Sequence, residues 1–85
     1  MNKKVTVKRP DGKITYCILS GEESLVDQFN RFFFGSPKPG HGMCARVAGS
    51  EIAIVDYYHN EKMSTFQIIG IEDTDSEPVL KWIDV

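Results

Sequence analysis

Apolar and polar residues alternate along the N-terminal part of the chain, with a turn signal in the middle. The stretch VTVKRPDGKITYCIL contains two alternating runs around Asp11 and Gly12, a pattern typical of a β-hairpin. With those two residues as the loop, Val7 lies opposite Tyr16 and the apolar positions share one face. Pro10 favours a type I turn with a glycine bulge instead, which shifts the register by one residue. We expect the first register, because the second scatters the apolar residues over both faces.

The apolar spacing then changes to that of a helix. Ser20 followed by Glu23 is an S-x-x-E capping box, which predicts the helix start. Gly35 and Pro37 predict its end. At about 100° per residue, one apolar stripe forms along this helix. Its members are Leu25, Val26, Phe29, Phe32 and Phe33. Phe34 falls outside the stripe, so we expect it either to fold over the helix end into the core or to stay partly exposed.

Two more hairpins are predicted in the second half of the chain. MCARVA turns at Gly49 and Ser50 into EIAIVDYYH, which turns at Asn60, Glu61 and Lys62 into MSTFQIIGI. One face of these strands is predicted as core: Met43, Ala45, Val47, Ile52, Ile54, Phe66 and Ile68. The other face is predicted to be exposed, with Arg46, Val55, Tyr57, His59, Gln67 and Ile69.

The C-terminal part is predicted as an acidic turn, EDTDSEP, followed by VLKWIDV. This last segment forms a short strand or a tail docked through Leu80 and Trp82. Residues 1–85 are therefore predicted as a single small α+β domain with the order ββαβββ(β). One helix packs on one face of a mainly antiparallel sheet.

Composition narrows the class of protein. The 85 residues are 41% hydrophobic and 26% charged, which is ordinary for one globular domain and argues against a disordered chain. There is no apolar run of the roughly 18 residues that a membrane span needs. The N-terminal residues also lack the apolar segment of a signal peptide. Two cysteines do not make a disulfide framework, so we expect free thiols and a cytoplasmic location.

The net charge is −2, but the two signs are sorted along the chain. Half of the ten basic residues lie near the N-terminus: Lys3, Lys4, Lys8, Arg9 and Lys13. Acidic residues crowd the C-terminal part: Glu72, Asp73, Asp75, Glu77 and Asp84. Such segregation steers a charged partner, or it lets the two ends attract each other within the fold. The pattern alone leaves both interpretations open.

Residues 35–44 hold the side chains that most resemble a chemical site. Cys17, His41, Cys44 and His59 match a zinc ligand set by type, but only His41 and Cys44 have the close spacing of such ligands. Along extended chain, Cys44 lies about 10 Å from His41 and about 13 Å from His59, too far for a nucleophile and its base. We therefore predict no metal, no cofactor and no catalysis. A small cysteine enzyme or ligand-binding domain using this loop is the third-ranked hypothesis.

The exposed sheet face favours binding to another protein. Tyr and Arg are enriched among the residues that dominate binding energy, and the single helix cannot cover both sheet faces. The predicted contact residues are Arg46, Tyr57, His59, Phe34, Lys38 and His41. The first hypothesis is a non-catalytic protein-binding module that acts by occluding a surface. A protein of this class could be a small inhibitor or adaptor of the anti-defence type that phages and mobile elements encode. The same surface could also form a homodimer.

The second hypothesis is binding of nucleic acid. The basic N-terminal hairpin would supply the contacts, through Lys4, Lys8, Arg9 and Lys13. A β-ribbon can enter a groove of the duplex. Against this, the whole chain is acidic, with a pI of about 5.6, whereas nucleic-acid binders usually have a high pI.

Overall fold

The computed structural model describes residues 1–35 and 42–85 and has one helix and six strands there. The elements are β1 (Asn2–Lys8), β2 (Ile14–Leu19), α1 (Leu25–Phe34), β3 (Met43–Ala48), β4 (Glu51–Asp56), β5 (Glu61–Thr74) and β6 (Val79–Asp84). The strands form one antiparallel sheet in the order β3-β4-β5-β1-β2-β6, and α1 packs on one of its faces. The predicted α+β order ββαβββ(β) is confirmed, with the optional last strand present.

β5 is the longest strand and joins the two halves of the sheet. Its residues 61–67 pair with β4, and its residues 67–74 pair with β1. The pairing skips Met63 in the first half and Ile69 in the second, so each is the extra residue of a β-bulge. Because a bulge bends and twists a strand, β5 can follow both halves of a strongly curved sheet.

The helix begins four residues later than the capping-box pattern predicts. Ser24, not Ser20, is the N-cap, and its hydroxyl accepts a 3.2 Å hydrogen bond from Asp27 N. The backbone of Ser20 is instead held by Gln28, whose amide bonds both Ser20 N (2.7 Å) and Ser20 O (2.9 Å). The predicted end is correct: Gly35 adopts φ 74° and its N–H donates to the carbonyl of Arg31.

The first hairpin adopts the register that Pro10 favours, so the expected register is wrong. Gly12 N donates to Arg9 O across a type I turn, and Gly12 has φ 89°, which is the glycine bulge. Val7 consequently lies opposite Thr15 and Val5 opposite Cys17. The local geometry of the turn decided the register against the alternation of apolar residues.

This register moves side chains between the faces of β2. Thr15, Cys17 and Leu19 point into the core, whereas Tyr16 and Ile18 lie on the opposite face. Thr15 is fully buried, and its hydroxyl has no hydrogen-bond partner among residues 1–35 and 42–85. An unpaired buried hydroxyl costs about 1–3 kcal/mol, and the adopted turn imposes this cost on the fold.

In the second half of the sheet, the β3–β4 register is confirmed and the β4–β5 register is wrong. Val47 lies opposite Ile52 as predicted. Ile54 lies opposite Ser64 instead of Ile68, because the turn spans residues 57–60 and not 60–62. For residues 51–54 the shift is four residues, an even number, so the predicted faces are preserved there. The predicted core residues of this half are buried or packed against the core: Met43, Ala45, Val47, Ile52, Ile54, Phe66 and Ile68.

An aromatic cluster fills the space between α1 and the sheet. Trp82 of β6 lies 4.7 Å from Phe32 and 5.6 Å from Phe66 of β5, measured between ring centroids. β5 and β6 are separated by two strands, which is about 14 Å along a flat sheet. The contact between Trp82 and Phe66 therefore requires the sheet to curl around the helix. Leu80, the other residue expected to dock this segment, is largely exposed.

The opposite charges of the two chain ends attract each other within the fold. Lys3 forms an ion pair with Asp73, and Lys4 Nζ lies 4.0 Å from a carboxylate oxygen of Glu72. These acidic residues are strand positions opposite β1, so the predicted acidic turn shrinks to residues 75–78. The Lys3 ammonium bound to Asp73 lowers the pKa of that carboxyl below its ordinary value.

Candidate protein-interaction surface

Residues 57–60 form the turn between β4 and β5, which we call the tyrosine turn. Asp56, the last residue of β4, fixes it: Asp56 Oδ1 accepts hydrogen bonds from Tyr58 N (3.1 Å) and His59 N (3.3 Å). Asp56 Oδ2 lies 2.8 Å from His59 Nδ1. Asn60 completes the turn in the left-handed region, with φ 50°. This is an Asx-type turn, and its side-chain hydrogen bonds end the strand earlier than the apolar pattern predicts.

Gly42 contacts both tyrosines of this turn. Tyr57 N donates a 2.8 Å hydrogen bond to Gly42 O. The ring of Tyr58 lies so close to Gly42 that a Cβ atom there would be 2.3 Å from Tyr58 Cδ2. Gly42 also has φ 79°, a conformation that other residues rarely adopt. Only glycine at this position allows both the hydrogen bond and the ring contact.

The two tyrosine rings are close together, and Tyr58 is much the more exposed of the two. Their centroids are 4.8 Å apart, and a side-chain hydrogen bond with Tyr58 raises the pKa of Tyr57 above its ordinary value. Tyr58 is 73% exposed and Tyr57 is 37% exposed. His59 and Met63 are exposed beside them. The turn therefore presents two amphipathic rings to solvent on a backbone fixed by Asp56 and Gly42.

A small cluster of buried apolar residues lies next to the turn on the sheet face opposite α1. Cys44, Ala53 and Val55 form a cluster there, separate from the main core. Arg46 is exposed and lies opposite Ala53 in the β3–β4 ladder, three residues before the end of β4. Tyr57 is four residues beyond Ala53, so Arg46 lies about 13 Å along the sheet from the start of the tyrosine turn. Arg46 and the tyrosine turn are thus exposed at separate positions near this buried cluster.

Several of the predicted contact residues lie elsewhere than expected. Tyr57 and His59 belong to the turn and not to the sheet face. Of the other residues predicted on the exposed face, Ile69 lies in the bulge of β5, and Val55 is buried, so its predicted exposure is wrong. Phe34 is half-buried and packs against the core, so contact with a partner protein is not needed to explain why it lies off the apolar stripe. Lys38 and His41 lie outside the described residues. Tyr58, the most exposed aromatic residue described, was missed, although Asp56 followed by Asn60 is a recognisable turn signal.

The basic residues of the first hairpin divide into two groups. Lys4 is engaged within the domain by Glu72, and its ammonium also lies 4.5 Å from the centroid of the Tyr16 ring. Arg9 pairs with Asp11 at 3.7 Å. Lys8 and Lys13 are exposed, and neither forms an ion pair with another residue in ranges 1–35 and 42–85.

The two cysteines lie on opposite faces of the sheet and cannot share a ligand. Cys17 is buried in the main core, where burial raises its pKa to about 12, so the thiol is fully protonated near neutral pH. Cys44 belongs to the small cluster on the other face. In the part of the chain that the structure describes, no three His, Cys, Asp or Glu side chains converge to hold a metal ion, and no pocket is found.

No protein-family model, curated protein or solved structure matches the chain. Within residues 1–35 and 42–85, no helix has both the length and the apolar character needed to cross a membrane. Hypotheses about function therefore depend on the surface itself.

Proposed function

We propose that this domain is a non-catalytic protein-binding module and that the tyrosine turn, together with Arg46, is its contact surface. The observation that carries the proposal is the exposure of Tyr58, at 73%, on a turn held by three contacts from Asp56. The ring of Tyr58 is not part of the buried core. The turn nevertheless holds the ring in one position, which suits recognition of a partner.

Binding through such a turn has a low entropic cost. Tyrosine offers a large amphipathic contact area with only two side-chain torsions to immobilise. The backbone of the turn is held in place before binding by Asp56 and by the hydrogen bond from Tyr57 N to Gly42 O. Preorganisation of this kind leaves more of the contact energy available as affinity.

A small inhibitor or adaptor that occludes a surface on its target needs only this kind of contact, and phages and mobile elements encode such proteins. We propose the same class here. A cytoplasmic location accompanies the proposal. It is supported by Cys17 and Cys44, which are free and lie on opposite faces of the sheet.

The experiment is quantitative affinity capture from a lysate of the organism that encodes the chain, followed by mass spectrometry. The immobilised proteins are the native domain, Tyr58→Ala, Arg46→Ala and the control Lys13→Ala. Lys13 is exposed in the first hairpin, away from the tyrosine turn. A partner recovered by the native domain is then purified, and its affinity for all four proteins is measured by calorimetry.

We expect Tyr58→Ala to weaken binding to the purified partner by about 2 kcal/mol or more, which is the level of a hot-spot residue. Arg46→Ala weakens it by a smaller amount, and Lys13→Ala leaves it unchanged. Equal affinity of the native domain and both surface variants would refute this contact surface. Circular dichroism of each variant shows that the fold is retained.

Nucleic-acid binding is the alternative, because Lys8 and Lys13 are exposed and have no ion-pair partner in the described residues. Phosphate contacts make affinity fall steeply with salt concentration. A titration of a DNA or RNA duplex with the domain at several salt concentrations tests this. Steep salt dependence that Lys8→Ala and Lys13→Ala reduce would favour the alternative over the tyrosine turn.

A further inference from the structure

The second half of β5 has an open edge. On the side facing β4, the last contact is the 2.6 Å hydrogen bond from Ile68 N to Ser50 O. The β3–β4 hairpin turns at Gly49 and Ser50, so neither of its strands reaches further. Among the described residues, nothing pairs with residues 69–74 on that side, although β1 pairs with them on the other. The backbone groups that point outward there are a template for another strand.

Two half-exposed isoleucines stand along this edge. Ile69 is 56% exposed and Ile71 is 49% exposed, with Gly70 between them. Lysine and proline, two common protections of natural edge strands, are absent from the sequence IGIEDT, and the protections it does have are the bulge at Ile69 and the charges of Glu72 and Asp73. An added strand would bury both isoleucines and would approach the backbone closely at Gly70, which has no side chain.

The charge around the edge defines the chemistry of the occupant. Four carboxylates lie between residues 72 and 77, on Glu72, Asp73, Asp75 and Glu77. Lys3 and Lys4 offset the first two. Opposite charges facing each other across neighbouring strands are stabilising, and like charges are destabilising. A second copy of this chain paired on the same edge would bring both sets of carboxylates onto one short ladder, which disfavours self-association.

We propose that residues 69–74 bind an extended peptide segment by β-strand addition, and that the segment alternates apolar with basic residues. Backbone hydrogen bonds would supply affinity, and the isoleucines and carboxylates would supply selectivity. This surface lies on the half of β5 that pairs with β1, whereas the tyrosine turn precedes the half that pairs with β4. The proposal therefore stands independently of the contact at Tyr58.

The test uses a short end-blocked peptide that alternates valine with lysine, labelled for fluorescence anisotropy. The same peptide with glutamate in place of lysine is the charge control. Ile71→Lys and Ile69→Lys place a like charge on the edge. Met63→Lys is the matched control, because Met63 is also a bulge residue of β5 and is 57% exposed. Amide chemical shifts in NMR spectra locate the peptide on the domain, and thermal melts confirm that each variant is folded.

We expect the lysine peptide to shift the amide signals of residues 69–74 and to protect them from hydrogen exchange. Ile71→Lys and Ile69→Lys each weaken binding by about tenfold, and Met63→Lys leaves it unchanged. Equal binding of the glutamate peptide, absence of binding, or shifts centred on residues 57–60 would overturn the proposal. So would a concentration-dependent dimer that buries residues 69–74, because the occupant would then be a second copy.

Discussion

The side-chain amide of Asn30 on α1 bonds both backbone groups of Ala45 on the edge strand β3. Asn30 Oδ1 accepts from Ala45 N at 2.9 Å, and Asn30 Nδ2 donates to Ala45 O at 3.1 Å. The same Nδ2 donates to the carbonyl of Val26 one turn earlier in the helix. A side chain thus imitates the missing neighbour strand at this point and shields the edge from other chains.

Replacing Asn30 should destabilise the domain strongly. Asn30→Ala leaves the buried N–H and C=O of Ala45 without partners, so we expect a loss of about 3 kcal/mol in the free energy of unfolding. Urea unfolding followed by circular dichroism measures it. Gln67→Ala, an exposed amide on β5, is the control and should change stability by less than about 0.5 kcal/mol. A similar small effect for both variants would contradict the role of Asn30.

Replacing Thr15 should stabilise the domain, in contrast to replacing Asn30. Its hydroxyl is buried without a partner in the described residues, and valine has nearly the same shape without the hydroxyl. We expect Thr15→Val to raise the free energy of unfolding by about 1 kcal/mol. Thr65→Val, where the threonine is only half-buried on the face opposite α1, should leave stability nearly unchanged. Loss of stability in Thr15→Val would show that the hydroxyl has a partner in solution.

Trp82 anchors the edge strand β6 to the helix. Its ring contacts Phe29, Phe32, Phe33 and Phe66, so Trp82→Ala removes the centre of the aromatic cluster. We expect a loss of about 3 kcal/mol, together with loss of amide protection in β6. Hydrogen exchange followed by NMR measures the protection. Leu80→Ala, on the same strand but exposed, should retain it.

Acid should destabilise the domain through Asp56. The side-chain hydrogen bond with His59 holds the pKa of Asp56 below its ordinary value of 3.8. In the unfolded chain this carboxyl takes up its proton at a higher pH than in the folded one. Its contribution to stability is therefore complete above pH 3.8 and is lost as pH falls through the lowered folded pKa. Unfolding measured against pH should show a smaller acid loss in Asp56→Asn than in the native domain. Glu22→Gln should behave like the native domain.

Gly42 and Gly35 form a matched pair for testing the tyrosine turn. Their φ angles are 79° and 74°, so alanine is strained at both, at a cost of about 1 kcal/mol. At Gly42 the new Cβ meets the ring of Tyr58, whereas at Gly35 it meets no atom of residues 1–35 and 42–85 within 4 Å. We expect Gly42→Ala to cost more stability and to shift the ring resonances of Tyr58. Unchanged resonances in Gly42→Ala would mean that the ring is not held against Gly42.

The element order and the core face of the second sheet half were predictable because they depend on periodicity, which a single sequence shows directly. The errors arose where a local hydrogen bond competes with periodicity. Pro10 sets a turn that puts Thr15 into the core, and Gln28 bonds the N–H of Ser20, which the Glu23 side chain of the predicted capping box would have bonded. Hydrogen bonds of this kind depend on how the folded backbone brings particular polar groups together, so the apolar pattern does not reveal them.

The candidate surface was only partly predictable for the same reason. Arg46 is exposed, but the apolar pattern predicts the turn too late, because Asp56 fits that pattern as an ordinary strand residue. The sequence does not reveal the open edge of β5, because Glu72 and Asp73 belong to a run of residues that predicts a turn. Their partners, Lys3 and Lys4, are remote along the chain, and no local pattern connects them.

The pairing of β1 with β5 also sets the order in which the chain assembles. Lys3 and Asp73 are 70 positions apart, so β1 can pair with β5 only after the ribosome has added the roughly 70 residues between them. Contacts between such remote segments form slowly, because a long loop must close before they contribute. We therefore expect the nascent chain to stay incompletely folded until β5 emerges from the ribosome, and the native sheet to appear only after that.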